Sequence, residues 1–91
     1  MAAGAATFSV TVQLFAAAKD LAGGSAQVSL ELSGEATVAD VREALTAAVP
    51  ALAAVLQAPS TAFARNEEFA DLTDRVYGGD ELAILPAVSG G

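Results

Sequence analysis

The sequence predicts an α+β domain in which a mixed β-sheet carries one main helix packed on one face. Three observations predict it. The stretches TFSVTVQLF (residues 7–15) and AQVSLEL (26–32) alternate apolar and polar residues with a period of two. The stretch TVADVREALTAAVPAL (37–52) changes to a helical period. A final apolar run, ELAILP (81–86), is strand-like and is followed only by AVSGG. There is no internal repeat and no dividing linker, and 91 residues suit one small domain.

Each element follows from its residues. In the first strand Phe8, Val10, Val12 and Leu14 point one way, and Thr7, Ser9, Thr11 and Gln13 the other. Phe15 then puts a large apolar group on the polar side. AAAKDLAGG (16–24) loses the period of two and reads as a short helical turn or loop ending at a glycine pair. The second strand turns Val28, Leu30 and Leu32 inward, and its closeness to the first predicts an antiparallel hairpin with a wide loop. Thr37 and Asp40 form a capping-box-like helix start. The main helix is expected over about 38–49, with Val38, Val41, Leu45, Ala48, Val49 and Leu52 near one face. Pro50 stops or restarts it, and a short helical piece is expected over 51–56. AFAR (62–65) is a short strand, NEEF (66–69) is turn chemistry leading into a return strand near Phe69 and Ala70, and DLTDRVYGGDE (71–81) is a polar connection. In that connection Leu72, Val76 and Tyr77 are expected to anchor, and Gly78-Gly79-Asp80 to make a tight turn. In the last strand Leu82 and Ile84 face the core, and Ala83 and Leu85 face away. The first and last strands fit adjacent central positions. This is the β-grasp, or ubiquitin-like, arrangement. Residues 1–6 are expected to be a flexible leader, 7–86 the domain and 87–91 a flexible diglycine tail.

Composition narrows the function. There is no cysteine and no histidine, which removes thiolate chemistry, the commonest general base and the commonest metal ligand. Four basic residues against a net charge of −7 disfavour nucleic-acid binding. No apolar run approaches the ~20 residues of a membrane span, and the first residues lack the basic region of a targeting peptide, so a cytoplasmic protein is expected. Glu67, Glu68, Asp71 and Asp74 read as a solvated acidic edge. The glycine pairs lack the context of a phosphate loop, and the serines have no histidine to activate them.

The C-terminus remains. It starts directly from an apolar strand, passes through Pro86, Ala87, Val88 and Ser89, and finishes at Gly90 and Gly91. Two glycines have no Cβ and can thread a narrow channel. They would deliver the Gly91 carboxylate to a buried site in another protein. A carboxylate becomes an acyl electrophile on adenylation. A sulfur donor then makes a thiocarboxylate of it, and an amine makes an amide.

Three segments resemble the MoaD family, the small subunit of molybdopterin synthase and one of the ThiS/MoaD-type β-grasp sulfur carriers. LFAAAKDLAG resembles that family's F-A-x-x-R-x-L-x-G segment. ARNEEF resembles its V-N-x-x-x turn, and YGGDELAILPAVSGG its D-G-D-E-V-x-x-x-P-P-V-x-G-G ending. The resemblance covers nearly the whole chain beyond the leader. It implies that an E1-like (MoeB-like) adenylyltransferase, using ATP and magnesium, activates Gly91, and that a sulfur donor then loads it. It also implies docking with a MoaE-like large subunit in a heterotetrameric synthase, where the tail donates sulfur to a pyranopterin precursor in molybdenum cofactor biosynthesis. The large subunit supplies the catalytic side chains, and this chain itself binds no cofactor or metal. Val88, Ser89 and Gly90 would form the leash, and Phe15, Lys19, Phe69, Leu85 and Pro86 the docking residues. Lys19 replaces the family's arginine, Ala87 its second proline, and Arg65 a common aliphatic residue. Carriers for thiamine or cysteine biosynthesis share the fold and the Gly-Gly end, and a ubiquitin-like protein modifier would use the same carboxylate to form isopeptide bonds.

Overall fold

The computed structural model describes residues 6–86. Leader residues 1–5 and tail residues 87–91 lie outside the described residues. Strand β1 (Thr7–Leu14) pairs antiparallel with β2 (Gln27–Ser33) and parallel with β7 (Glu81–Leu85). Strand β4 (Ala62–Arg65) pairs antiparallel with both β7 and β5 (Glu68–Ala70). The order in the main sheet is β2-β1-β7-β4-β5, so the first and last strands are central neighbours, as their apolar faces predict. The fold is the expected β-grasp.

The wide hairpin loop is helical. Helix α1 (Ala16–Leu21) ends in a Schellman motif: the Gly24 N–H donates to the Lys19 carbonyl at 2.9 Å, and the Gly23 N–H to the Asp20 carbonyl at 3.1 Å. Gly23 takes the positive φ that this ending requires, 73°. The main helix α2 (Val38–Ala48) starts at the predicted capping box. The Thr37 N–H donates to Asp40 Oδ2 at 2.9 Å, and the Asp40 N–H to Thr37 Oγ1 at 3.4 Å. Pro50 interrupts the helix, and a 3₁₀ turn (Pro50–Leu52) leads into α3 (Ala53–Gln57). Among the described residues there are thus three α-helices, the expected main one and two short ones.

The core lies between the sheet and the helices. Val10, Val12 and Leu14 of β1, Leu82 and Ile84 of β7, and Phe63 of β4 pack with Val38, Val41, Leu45, Leu52 and Leu56. No polar or charged residue is buried among the described residues.

Three expectations need correction. The connection over 71–81 contains a strand, β6 (Arg75–Val76), which pairs with β3 (Ala36–Thr37) in a second, two-stranded sheet. A two-residue strand is too short for periodicity to reveal. Tyr77 does not anchor: it is 56 % exposed, while its neighbour Val76 takes the buried position. Ala48 is exposed, because α2 ends there and the chain turns away at Pro50.

Candidate functional site

The site is built around β7, the strand that leads to the tail. At its start a type II turn reverses the chain, with the Asp80 N–H donating to the Tyr77 carbonyl at 3.0 Å and Gly79 supplying φ 85° at the position that requires it. The Asp80 carboxylate is 11 % exposed. It accepts from the Tyr77 N–H at 2.8 Å, Asn66 Nδ2 at 3.0 Å and Arg65 Nη1 at 3.4 Å. Burial alone would raise its pKa. The hydrogen bonds from Asn66, Tyr77 and Arg65, together with the Arg65 charge, outweigh burial and hold the carboxyl below its ordinary value. Asn66 and Glu81 bond reciprocally as well: the Asn66 N–H donates to the Glu81 carbonyl at 2.7 Å, and the Glu81 N–H to Asn66 Oδ1 at 3.0 Å. These contacts tie the β4–β5 turn to the root of β7. They join two of the segments on which the family resemblance rests, ARNEEF and YGGDE. They also settle the direction of Arg65. It lies opposite Leu82 and so points to the helix-bearing side, where it ends on Asp80.

From that anchor β7 presents Glu81, Ala83 and Leu85 on the sheet face away from the helices. Opposite Leu85 stands Ala62, and opposite Ala83 stands Ala64. Opposite Ala64, on the other side, stands Phe69, which is 80 % exposed. Ala64 is almost covered yet lies outside the core cluster, because it sits on the open face between Ala83 and Phe69. The result is a patch of small apolar residues with a raised aromatic at one edge. Toward β1 and β2 the same face becomes polar, with Gln13 Nε2 donating to Glu81 Oε2 at 2.9 Å and to Gln27 Oε1 at 3.1 Å.

Phe15 follows β1 in an extended conformation and is 48 % exposed, on the side opposite Leu14. The next residue, Ala16, has φ 51°, in the left-handed region that costs an L-residue ~1–2 kcal/mol. Lys19 is exposed one helical turn further on. Leu85 and Pro86 are half-buried, and Pro86 lines a groove with Ala17, Ala54 and Ala58, where α1 and α3 meet the end of β7. The chain thus leaves the sheet at an apolar end. Val88, Ser89, Gly90 and Gly91 lie outside the described residues. Sequence reasoning gave no facing for Phe69 and missed Ala62, Ala64, Asn66 and Asp80. Pairing β4 with β7 in register would have found them, but strands of three and four residues give no pattern from which to set a register.

The ThiS family profile matches residues 12–91, through the whole site. The chain belongs to the ThiS family. It is 39 % identical to small archaeal modifier protein 1 of Haloferax volcanii over 85 residues, 87 % of this chain and 97 % of that one. A crystal structure of that protein superposes with a TM-score of 0.83 at 39 % identity, covering 91 % and 99 % of the two chains. The molybdopterin synthase sulfur carrier subunit of Chlamydomonas reinhardtii is 36 % identical over 84 residues, 90 % of this chain and 98 % of that one. In the BexX/CysO complex of Amycolatopsis orientalis a chain matches at a TM-score of 0.74 and 27 % identity, covering 90 % and 99 %. As a ThiS-family protein this chain is a ubiquitin-like sulfur carrier of the ThiS/MoaD type. Such carriers work with enzyme subunits. Among the described residues no group of three or more Asp or Glu side chains could hold a metal ion, and no helix is long and apolar enough to cross a membrane.

Proposed function

We propose that this ThiS-family protein is the sulfur-carrier subunit of a molybdopterin synthase. A MoeB-like adenylyltransferase transfers AMP from magnesium–ATP to the Gly91 carboxylate, releasing pyrophosphate. Hydrosulfide delivered by a donor attacks the acyl carbon, AMP leaves, and a thiocarboxylate remains. The loaded carrier docks on a MoaE-like subunit, inserts Val88–Gly91 into its active site and gives up the sulfur to a pyranopterin precursor. The large subunit supplies the catalytic side chains. Phe15, Phe69 and Leu85 form the apolar part of the docking surface, with Lys19 and Pro86 at its margin. ATP-dependent loading places the work in the cytoplasm.

The observation that carries this reading is the course of β7. The strand is anchored by the Asp80 contacts at one end, runs through the centre of the sheet beside an open apolar patch, and leads to a tail ending in Gly90-Gly91. The test is intact mass after incubation with ATP, the adenylyltransferase and a sulfur source, followed by mixing with the large subunit. Exchange of one terminal oxygen for sulfur, then its loss to the precursor, is expected. An unchanged mass overturns the carrier chemistry. Loading without transfer to that subunit, but with transfer to a cysteine or thiazole synthase, reassigns the pathway.

A second reading is a protein modifier, favoured by the 39 % identity to small archaeal modifier protein 1. The acyl adenylate would then be attacked by a lysine amine. Conjugates of the intact chain on cellular proteins, with no thiocarboxylate formed, would select it.

A further inference from the structure

Around the edge of the sheet from the open face, a groove of ≈ 260 Å³ lies between α2, the end of α3 and the β4–β5 hairpin. Leu56, Phe63 and Ala70 give it an apolar wall; Arg42, Phe69 and Asp71 also line it. Arg42 differs from the other arginines. Arg65 pairs with Asp80 at 3.4 Å, and Arg75 with Glu35 at 2.6 Å. Arg42 makes no ion pair and its side chain donates no hydrogen bond among the described residues. Its Nε is buried without a partner. A guanidinium does not shed its proton, so this donor cannot be neutralised and calls for an acceptor.

A second, independent feature adjoins it. Strand β5 is the edge of the sheet. In the β4–β5 register Arg65 faces Glu68 and Phe63 faces Ala70, flanking a two-residue turn. Those two pairs exchange the hydrogen bonds, because the Asn66 N–H donates to the Glu81 carbonyl of β7, and the alternation then turns the Ala64 and Ala62 backbone to β7 and that of Arg65 and Phe63 to β5. The N–H and C=O of Phe69 therefore point outward with no strand to meet. The next outward donor, the Asp71 N–H, is already held by Asp74 Oδ2 at 2.9 Å. One backbone pair at an edge, beside an apolar groove with an unpaired guanidinium, has the chemistry to receive an extended peptide.

We propose that this groove binds an extended acidic segment of a partner protein. The segment pairs with the Phe69 backbone as an added strand and sets an Asp or Glu carboxylate on Arg42. The site is independent of the chemistry at Gly91. Its neighbourhood to Phe69 lets a partner on the open face reach it.

The probes are two blocked peptides, acetyl-Val-Glu-Val-Glu-Val-amide and its counterpart with Gln for Glu, titrated into the ¹⁵N-labelled full chain. The Glu peptide should shift the Arg42 Nε–H and Phe69 N–H signals together and bind about tenfold more tightly than the Gln peptide, as expected for one hydrogen bond to a charged group. Arg42→Gln should erase that preference and leave the Phe69 shift. The comparison within the unaltered chain stands even if this variant folds poorly. Equal binding of the two peptides, no binding by either, or shifts elsewhere would overturn the proposal. So would a large change in the Arg42 Nε–H signal in Asp71→Asn without peptide, which would show that Asp71 already fills the role. Concentration-dependent self-association through Phe69 would replace the partner by a second copy and overturn it too.

Discussion

The two faces of the five-stranded sheet use similar strands for different ends. On the helix-bearing face, Val12 lies beside Leu82 and Leu14 beside Ile84, all at 2 % exposure or less. On the open face β4 and β7 hold Ala62, Ala64, Ala83 and Leu85, with Phe15 and Phe69 standing clear, while β1 and β2 present Gln13 and Gln27. Across β4 and β7 the difference is more one of side-chain volume than of polarity. Large branched residues interlock with helices and provide stability. Small residues leave a shallow apolar surface that a partner can cover without competing with the core. Burial should therefore govern folding on one face and binding on the other, and adjacent residues should separate the two.

Leu14 and Phe15 offer the sharpest test, being neighbours that point to opposite faces. Leu14→Ala should cost ~2–5 kcal/mol, the range for deleting a buried leucine side chain, measured by urea unfolding. Phe15→Ala should cost about 1 kcal/mol or less, since roughly half of it is already in solvent. Its effect should appear in the affinity for the proposed large subunit, where losing an aromatic anchor commonly costs more than 1 kcal/mol. Leu85→Glu should weaken the same binding with the fold intact. If Phe15→Ala unfolds the domain, the division between the faces fails.

The next effect lies where the faces meet the root of β7. Asp80→Asn keeps the shape but removes the charge that Arg65, Asn66 and the Tyr77 N–H address, and should cost ~1–3 kcal/mol at neutral pH. The sign of the pH dependence follows from the lowered pKa. An unfolded Asp titrates near its ordinary value of 3.8, and the folded one below it. The stabilisation is complete above the unfolded value and is lost as pH falls toward the folded one. Unfolding measured from pH 6 to pH 3 should show a shallower acid-side loss in Asp80→Asn than in the unaltered chain. Parallel curves would mean that Asp80 contributes shape and not charge.

How much of this could be read from the sequence depended on element length. β1, β2, β7 and α2 are long enough to state their period, and their residues declared the closed face, the central pairing and the capping box. Phe15 and Leu85 could be placed because they continue or oppose an alternation already running. Phe69 could not, since three residues of β5 between a turn and a loop carry no period. Asn66 and Asp80 stand 14 residues apart and meet only once β4 is laid against β7. Arg42 was visible as a residue outside the apolar stripe of α2, but its unpaired Nε is a property of packing. The chemistry proposed for the tail rests on the family resemblance and on composition, because a chain without cysteine or histidine leaves few groups that could react.

The smallest effect concerns the hinge between the faces, Ala16. Its φ of 51° is unfavourable for alanine, whereas glycine accepts it freely. Ala18, two residues on, is an ordinary helical alanine with no exposure. Ala18→Gly should cost at least ~1 kcal/mol from helix propensity alone. Ala16→Gly should fall within about 0.5 kcal/mol of the unaltered chain or raise stability slightly, because relief of the left-handed strain offsets the entropy glycine adds to the unfolded state. Docking should respond in the opposite sense. A glycine at 16 frees the backbone that aims Phe15 outward, so the proposed large subunit must order it again, and affinity should fall while stability holds. Equal destabilisation by the two alanine replacements would show that Ala16 carries no strain and that the aim of Phe15 is set elsewhere. The split result would show that a small conformational cost at one residue turns the chain from the face that folds to the face that binds.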